Sequence, residues 1–306
     1  MRLPSPRMAR PAQSLVPDGL EHPKYKSRRS YIGIYIICWK YALGQLAERG
    51  HYKSLSPNLS IHSLMSSHVA HLLRVRVLQE LELLADCLQT RPQGSDGTTL
   101  IRRLTRAEWK SIKSTGVIPY GNAVAVVVVP PLNRDPTTKM RPQASVDAAA
   151  IRQDISTDDH TSPRPLPPLS TLHPVTEPSD HDDLPNYLPS SKVPLYNGLS
   201  LFPSRSQRAV LHARLTRLVS IERRARYREH GRPENSATPQ STEPKDKRVG
   251  GDQKASHAFL LVSDEKTALR ADMAATAIAL WRVRMWEGAG WEEFGGGRSG
   301  WEFRSP

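Results

Sequence analysis

The residues from Ser263 to Lys266 match the pattern S-x-x-K, in which a serine nucleophile lies one helical turn before a lysine. The partner motifs of that hydrolase class do not occur in the sequence, so we interpret Ser263 and Asp264 as the cap of a helix. The sequence also contains no dinucleotide-binding, phosphate-loop, zinc-protease or nucleophile-elbow motif. These absences favour a non-catalytic protein. The alternative is an enzyme whose site is built from scattered residues, with His257 and the loop 133–135 as the places to look.

Histidines and carboxylates are concentrated in the middle of the chain, where they could suggest a metal site. They are His160, His173, His181, Asp158, Asp159, Asp180, Asp182 and Asp183. Their spacing fits no standard ligand frame, and the segment offers no scaffold to fix a coordination geometry. The two cysteines, Cys38 and Cys87, form no metal-binding pair. The sequence therefore predicts no metal and no cofactor.

Arginines are densest in a predicted helix over residues 204–230, which contains only two acidic residues, Glu222 and Glu229. The arginines that we select as candidate nucleic-acid contacts are Arg205, Arg208, Arg214, Arg217, Arg223, Arg224, Arg226 and Arg228. Three of them, Arg217, Arg224 and Arg228, fall in one strip beside the apolar seam of the helix. The planar guanidinium donates two hydrogen bonds to a phosphate, so this strip could follow a nucleic-acid backbone. The alternative is a solvated helix face.

Two other segments could bind a protein partner. Residues 163–170 (PRPLPPLS) are typical of a polyproline II helix, which is either a ligand of SH3 domains or a stiff linker. Aromatic residues are concentrated near the C-terminus, where Trp291, Phe294 and Trp301 could anchor a partner or pack within the chain. These features support an alternative function, a protein–protein assembly or adaptor factor.

The chain has 43 Lys+Arg against 30 Asp+Glu, which gives a net charge of +13. A basic surplus of this size favours polyanionic partners, and we expect RNA or a ribonucleoprotein. The low cysteine content indicates an intracellular protein. Residues 1–17 contain three arginines and no acid, which allows a mitochondrial targeting segment, although four prolines oppose the helix that such a segment needs. A second possible start at Met65 would also be basic and amphipathic.

The most apolar stretch, residues 31–39 (YIGIYIICW), is nine residues long, whereas a membrane-spanning helix needs about 20. We therefore expect no integral membrane span. The stretch fits the core of a signal peptide or, because it is rich in β-branched and aromatic residues, a buried strand.

The elements that must position these residues can be predicted from apolar periodicity and turn signals. We expect helices over residues 68–89, 106–114, 204–230 and 264–286, and strands over residues 123–129 and 257–262. Thr105 should cap the second helix, because Glu108 follows at the capping-box spacing, and Gly116 should end it. The valine-rich strand 123–129 is apolar on both faces and should lie centrally in a sheet.

These elements predict an α+β protein with one small mixed core of two or a few strands and three to four helices. We assign that core to residues 65–131 and 190–290. The remainder is expected to be disordered: an N-terminal or targeting extension over residues 1–64, a Pro- and Asp-rich insert over 132–189, and a Gly/Trp tail over 291–306.

Overall fold

The computed structural model divides the chain into two compact units, one formed by residues 77–280 and the other by residues 1–76 with 281–306. The structure describes residues 13–26, 33–90, 99–134, 139–146, 166–176, 191–230 and 252–289. Within this part of the chain lie seven helices and two sheets, one of two strands and one of five. The protein is therefore an α+β protein, as predicted.

The larger unit is built on the five-stranded sheet, whose strand order is β3-β7-β4-β6-β5. The strands are β3 (Ile101–Thr105), β4 (Ala123–Val128), β5 (Ser170–Pro174), β6 (Lys192–Asn197) and β7 (Ala255–Val262). Strand β4 pairs antiparallel with β7 and parallel with β6. It is the middle strand, as its two apolar faces predicted, because only a central strand buries both faces.

Five helices lie wholly or mainly in the larger unit. They are α2 (Met65–Thr90), α3 (Arg106–Thr115), α4 (Gly198–Leu201), α5 (Arg205–His230) and α6 (Glu265–Leu269). Helix α3 begins at the predicted capping box, where the Thr105 hydroxyl accepts from the Glu108 backbone N–H. It ends at Gly116, whose φ of 69° lies in the left-handed region that glycine adopts without strain.

Side chains alternate between the two faces of the sheet, so the core consists of two layers, one on each face. On one face, buried aliphatic residues of the sheet meet Ile112 of α3; they are Leu104, Val126, Val193, Ala258, Leu260 and Val262. Phe259, also buried, points to the opposite face, where its ring meets His212 of α5 edge-on at a centroid distance of 6.3 Å. Helices α3 and α5 therefore cover opposite faces.

Two strands occur where the sequence analysis predicted none. Strand β5 lies inside the insert that was expected to be disordered, and β6 lies near the start of the core segment 190–290. Both strands contain a proline, which lacks the N–H that a sheet ladder needs, so their sequences do not predict strands. Pro174 is tolerated because β5 is an edge strand, and Pro194 because β4 pairs with β6 only from Leu195 onward.

The helix predicted over residues 264–286 is two helices, α6 and α7 (Ala274–Trp286). Asp264 caps α6 by accepting from the Thr267 N–H at 2.8 Å. The chain then turns at Ala271, which has a φ of 55°. Leu269, the last residue of α6 before this turn, is 88% exposed.

The described part of the smaller unit contains α1 (Lys40–Arg49), a 3₁₀ turn (His51–Ser54) and a short parallel pair, β1 (Gln13–Ser14) with β2 (Leu59–Ser60). Residues 33–39 form neither helix nor strand, so the expectation of a buried strand in this stretch is wrong. Tyr35 is fully exposed there. An apolar run becomes a strand only where another strand offers its hydrogen bonds, which composition alone does not reveal.

Among the helices in the described ranges, none is long and apolar enough to cross a membrane.

Candidate nucleic-acid interface

Helix α5 forms over the predicted range, and its buried seam of Leu211, Leu215 and Leu218 packs against the core. Seven of its eight candidate arginines have described side chains, while that of Arg228 lies outside the described residues. The structure separates these seven into arginines that serve the fold and arginines that reach solvent.

One flank of α5 is paired with acids of α2. Arg214 lies 2.8 Å from Glu82, and Arg217 lies 3.1 Å from Asp86. Arg217 also donates to the Gln89 side-chain oxygen at 3.1 Å. Arg217, which belongs to the strip predicted to follow phosphates, is therefore already paired with an acid of the same unit. Partly exposed ion pairs of this kind contribute little stability.

Near the start of α5, Arg208 is buried, and its guanidinium donates to the carbonyl oxygens of Phe202 and Pro203 at 2.9 and 2.5 Å. These bonds join the end of α4 to the first turns of α5. Arg208 is thus a structural residue, and Arg205 beside it is only partly exposed.

The last turns of α5 have a different character. Arg223, Arg224 and Arg226 are exposed, and Tyr227 is 55% exposed. At 100° per residue, Tyr227 lies between Arg223, four residues before it, and Arg224, three residues before it. The acid next to them, Glu222, points inward, where it accepts a hydrogen bond of 3.0 Å from the buried Leu100 N–H. Arginine and an aromatic ring therefore share one solvent-facing surface.

A second basic cluster, which the sequence did not reveal as a cluster, lies where β3 meets β7. The pairing register shifts here: Arg103 pairs with Phe259 and Thr105 with Ala255, so residues 256–258 of β7 stand opposite Leu104 alone. Such a bulge breaks the ladder and frees backbone groups. The Arg103 Nε–H donates to the Ser256 carbonyl oxygen at 2.5 Å.

Four basic side chains lie around this bulge, and we call them the bulge cluster: Arg103 of β3, Arg106 of α3, His212 of α5 and His257 of β7. They are related by electrostatic interactions, of Arg103 with both imidazoles, of His257 with His212, and of Arg106 with His257. The guanidinium carbon of Arg103 lies 5.6 Å from the centroid of the Phe259 ring, against whose edge His212 packs. Arg106 and His257 are exposed, and Arg103 and His212 are half-buried.

The bulge cluster is electrostatically positive. Burial lowers the pKa of His212, and the charges of Arg103 and His257 lower it further. Burial also lowers the pKa of His257, with Arg103 and Arg106 acting in the same direction. Every charged neighbour that shifts these two imidazoles is itself basic, so a bound anion would stabilise their protonated forms.

On the opposite face of the sheet, Arg102 belongs to a network with a structural role. It lies 2.9 Å from Glu108, which also accepts from the Tyr120 hydroxyl at 2.8 Å. Burial raises the pKa of Glu108, but hydrogen bonds from Thr105, Tyr120 and Arg102 outweigh it and lower the pKa to about 2. The carboxylate therefore stays ionised and holds α3 to β3.

The other sequence candidates are engaged in the fold or lie outside the described residues. His173 contacts the Gly116 carbonyl oxygen through Nδ1 and the Thr171 hydroxyl through Nε2, both at 2.8 Å. Ser263 contacts the Thr267 hydroxyl at the start of α6. Outside the described residues lie Trp291, Phe294, Trp301, and most of the polyproline and Asp-rich segments.

A cleft of about 340 Å³ in the smaller unit is lined by charges of both signs, including Asp18, Glu21, Lys26, Arg76 and Arg282. Lys26 and Glu21 form an ion pair at 3.2 Å. Because its charges compensate one another, this cleft is a poorer anion site than the bulge cluster.

Comparison with protein-family models, curated proteins and solved structures finds no match to this chain.

Proposed function

We propose that this protein is a non-catalytic RNA-binding protein, and that the exposed end of α5 contacts single-stranded RNA. The observation that carries the proposal is the position of Tyr227 between Arg223 and Arg224 on a solvent-facing surface. An aromatic ring stacks on unpaired bases, while flanking guanidinium groups bind the phosphates that connect them.

The distribution of charge supports this surface over the rest of α5. Arg214 and Arg217 are paired with acids of α2, and Arg208 is bonded to backbone carbonyl groups. Arg223 and Arg224 extend from the helix where the adjoining carboxylate of Glu222 is buried. The net charge of +13 adds long-range attraction to any polyanion.

A filter-binding titration of the full-length protein with a single-stranded RNA, repeated at several salt concentrations, tests the proposal. Affinity should fall steeply as the salt concentration rises. In the double variant R223Q/R224Q, the slope of log affinity against log salt concentration should be reduced by about 0.7 for each phosphate contact that is lost. The variant R214Q/R217Q is the matched control, because it removes the same charge from the same helix where the arginines are already paired.

The stacking component has its own test. Tyr227→Ala should weaken binding by about 1–3 kcal/mol and leave the salt slope unchanged, because the ring carries no charge. Tyr35→Ala, at a fully exposed tyrosine elsewhere, is the control. Undetectable RNA binding, salt-independent binding, or equal binding of duplex and single strand would contradict the proposal.

The adaptor function and the mitochondrial location stay predictions, because the residues that suggest them lie largely outside the described ranges. Copurification of a partner that survives nuclease and is lost on deletion of residues 288–306 would favour the adaptor function. Cellular location should be compared for chains that start at Met1 and at Met65.

A further inference from the structure

We propose that the bulge cluster, formed by Arg103, Arg106, His212 and His257, is a binding site for a phosphate group. The proposal goes beyond RNA binding by α5, because it concerns a different surface and does not depend on the RNA surface being correct.

The four side chains come from three separate parts of the sequence. Arg103 of β3 and Arg106 of α3 are near neighbours in the chain, whereas His212 lies in α5 and His257 in β7. Strand β3 contacts α3, α5 and β7, which brings these parts of the sequence together. Two of the four groups, Arg103 and Arg106, carry a fixed positive charge, and like charges repel, so a fold gains nothing by placing them together unless something compensates them. No ion pair between Arg103 or Arg106 and an acid occurs among the described residues. Within the described residues this charge is not compensated by an acid, and a bound anion would supply the compensation.

The Arg103 side chain is preorganised for binding a ligand. The Nε–H of Arg103 is bonded to the Ser256 carbonyl oxygen, and its guanidinium lies beside the Phe259 ring. A side chain that is fixed at this end loses little freedom when its two remaining amino groups bind a ligand. His212 is likewise held against the same ring. Arg106 and His257 are exposed, so a ligand can reach the site from solvent.

The hydrogen-bond donors of the bulge cluster suit a phosphate better than a carboxylate. The cluster supplies two guanidinium groups and two imidazoles, whose N–H groups outnumber the acceptor positions of a single carboxylate. A phosphate offers three or four oxygens and up to two negative charges, which suits donors that arrive from several directions. The site should therefore prefer phosphate to acetate.

The electrostatics of the cluster also favour an anion. Burial lowers the pKa of both histidines; Arg103 and His257 lower that of His212 further, and Arg103 and Arg106 lower that of His257 further. A bound phosphate reverses the sign of the local field and should raise both pKa values. For a ligand whose own charge does not change in this range, such as a phosphodiester, affinity should consequently increase as the pH falls and the two histidines take up protons.

The test is a titration of the full-length protein with inorganic phosphate, followed by NMR of the histidine ring protons. Resonances of His212 and His257 are assigned with H212Q and H257Q. Both resonances should shift saturably and their apparent pKa values should rise, whereas acetate at the same ionic strength should have little effect. Arg106→Gln, at an exposed position, should weaken binding about tenfold by removing a charge-assisted hydrogen bond.

Arg103 also donates a hydrogen bond to the Ser256 carbonyl oxygen, so R103Q could change stability as well as binding. Phosphate binding by R103Q is therefore compared only if its thermal unfolding matches that of the parent protein. R223Q/R224Q is the control that separates this site from the α5 surface, and it should leave phosphate binding unchanged. Failure of RNA binding in that variant with intact phosphate binding would support two separate sites.

The source of the phosphate is resolved by a second ligand. A short RNA without terminal phosphates that shifts the same two histidines and competes with inorganic phosphate identifies a phosphodiester ligand. Phosphate binding without that competition identifies a free phosphate or phosphate monoester. The proposal is overturned if neither ligand shifts His212 and His257 saturably, or if R106Q binds phosphate as well as the parent protein does.

Discussion

The carboxylate of Glu222 accepts a hydrogen bond of 3.0 Å from the backbone N–H of Leu100, 122 residues earlier in the chain. Both residues are buried, and Leu100 lies immediately before β3, where the ladder does not supply a partner for this N–H. The bond connects the arginine-rich helix α5 to the edge strand of the sheet. It also turns an acid away from the exposed surface that carries Tyr227.

Removing this bond should destabilise the larger unit. We expect Glu222→Ala to lower the free energy of unfolding by about 1–3 kcal/mol, because a buried backbone N–H is left unsatisfied. Glu222→Gln retains an acceptor oxygen and should lose less. Urea unfolding measures both, with Glu265→Ala at an exposed position as control. Equal stability of E222A and the parent would contradict this role.

The capping box of α3 should make stability depend on pH in the acid range. The pKa of Glu108 is lowered from its ordinary 4.5 to about 2, so its carboxylate stabilises the folded state above about pH 4.5. That contribution is lost as the pH falls toward 2, because the unfolded chain takes up the proton first.

Glu108→Gln should therefore remove roughly 1–2 kcal/mol at neutral pH, a value reduced from the full shift because the side chain is partly exposed. The loss should shrink toward zero at pH 2. Thermal unfolding from pH 2 to 7 measures this difference, with Glu265→Gln as control. A loss that is the same at every pH would show that Glu108 does not act through its charge.

Gly198 should not tolerate a side chain. A Cβ at this position would lie 2.6 Å from the Val128 carbonyl oxygen, which is backbone at the end of the central strand and cannot move aside cheaply. We expect Gly198→Ala to cost about 1–3 kcal/mol through overpacking. Gly44→Ala in α1 meets no atom within 4 Å and should instead be stabilising. Calorimetric unfolding of the two variants should show opposite shifts.

The break between α6 and α7 predicts an unusual response to glycine. Ala271 has a φ of 55°, which is strained for any residue with a Cβ. Ala271→Gly should be neutral or slightly stabilising, whereas Ala277→Gly inside α7 should cost about 1 kcal/mol. Chemical denaturation of both variants measures the difference. A loss at position 271 equal to that at 277 would mean that the helix continues through this segment.

The local features of this fold could be predicted from the sequence alone. The capping box at Thr105, the end of α3 at Gly116 and the course of α5 follow from hydrogen bonds and periodicity within a few residues of chain. The central position of β4 follows from its two apolar faces. The α+β class follows from these elements together.

The pairing of the strands and the exposure of the arginines depend on the tertiary fold. Strands β5 and β6 contain prolines and form because neighbouring strands supply their hydrogen bonds, which no local pattern records. Arg217, on the strip predicted from α5, pairs with an acid 131 residues away in sequence, which periodicity within the helix does not reveal. The bulge cluster arises in the same way: residues far apart along the chain become neighbours only when the sheet has formed.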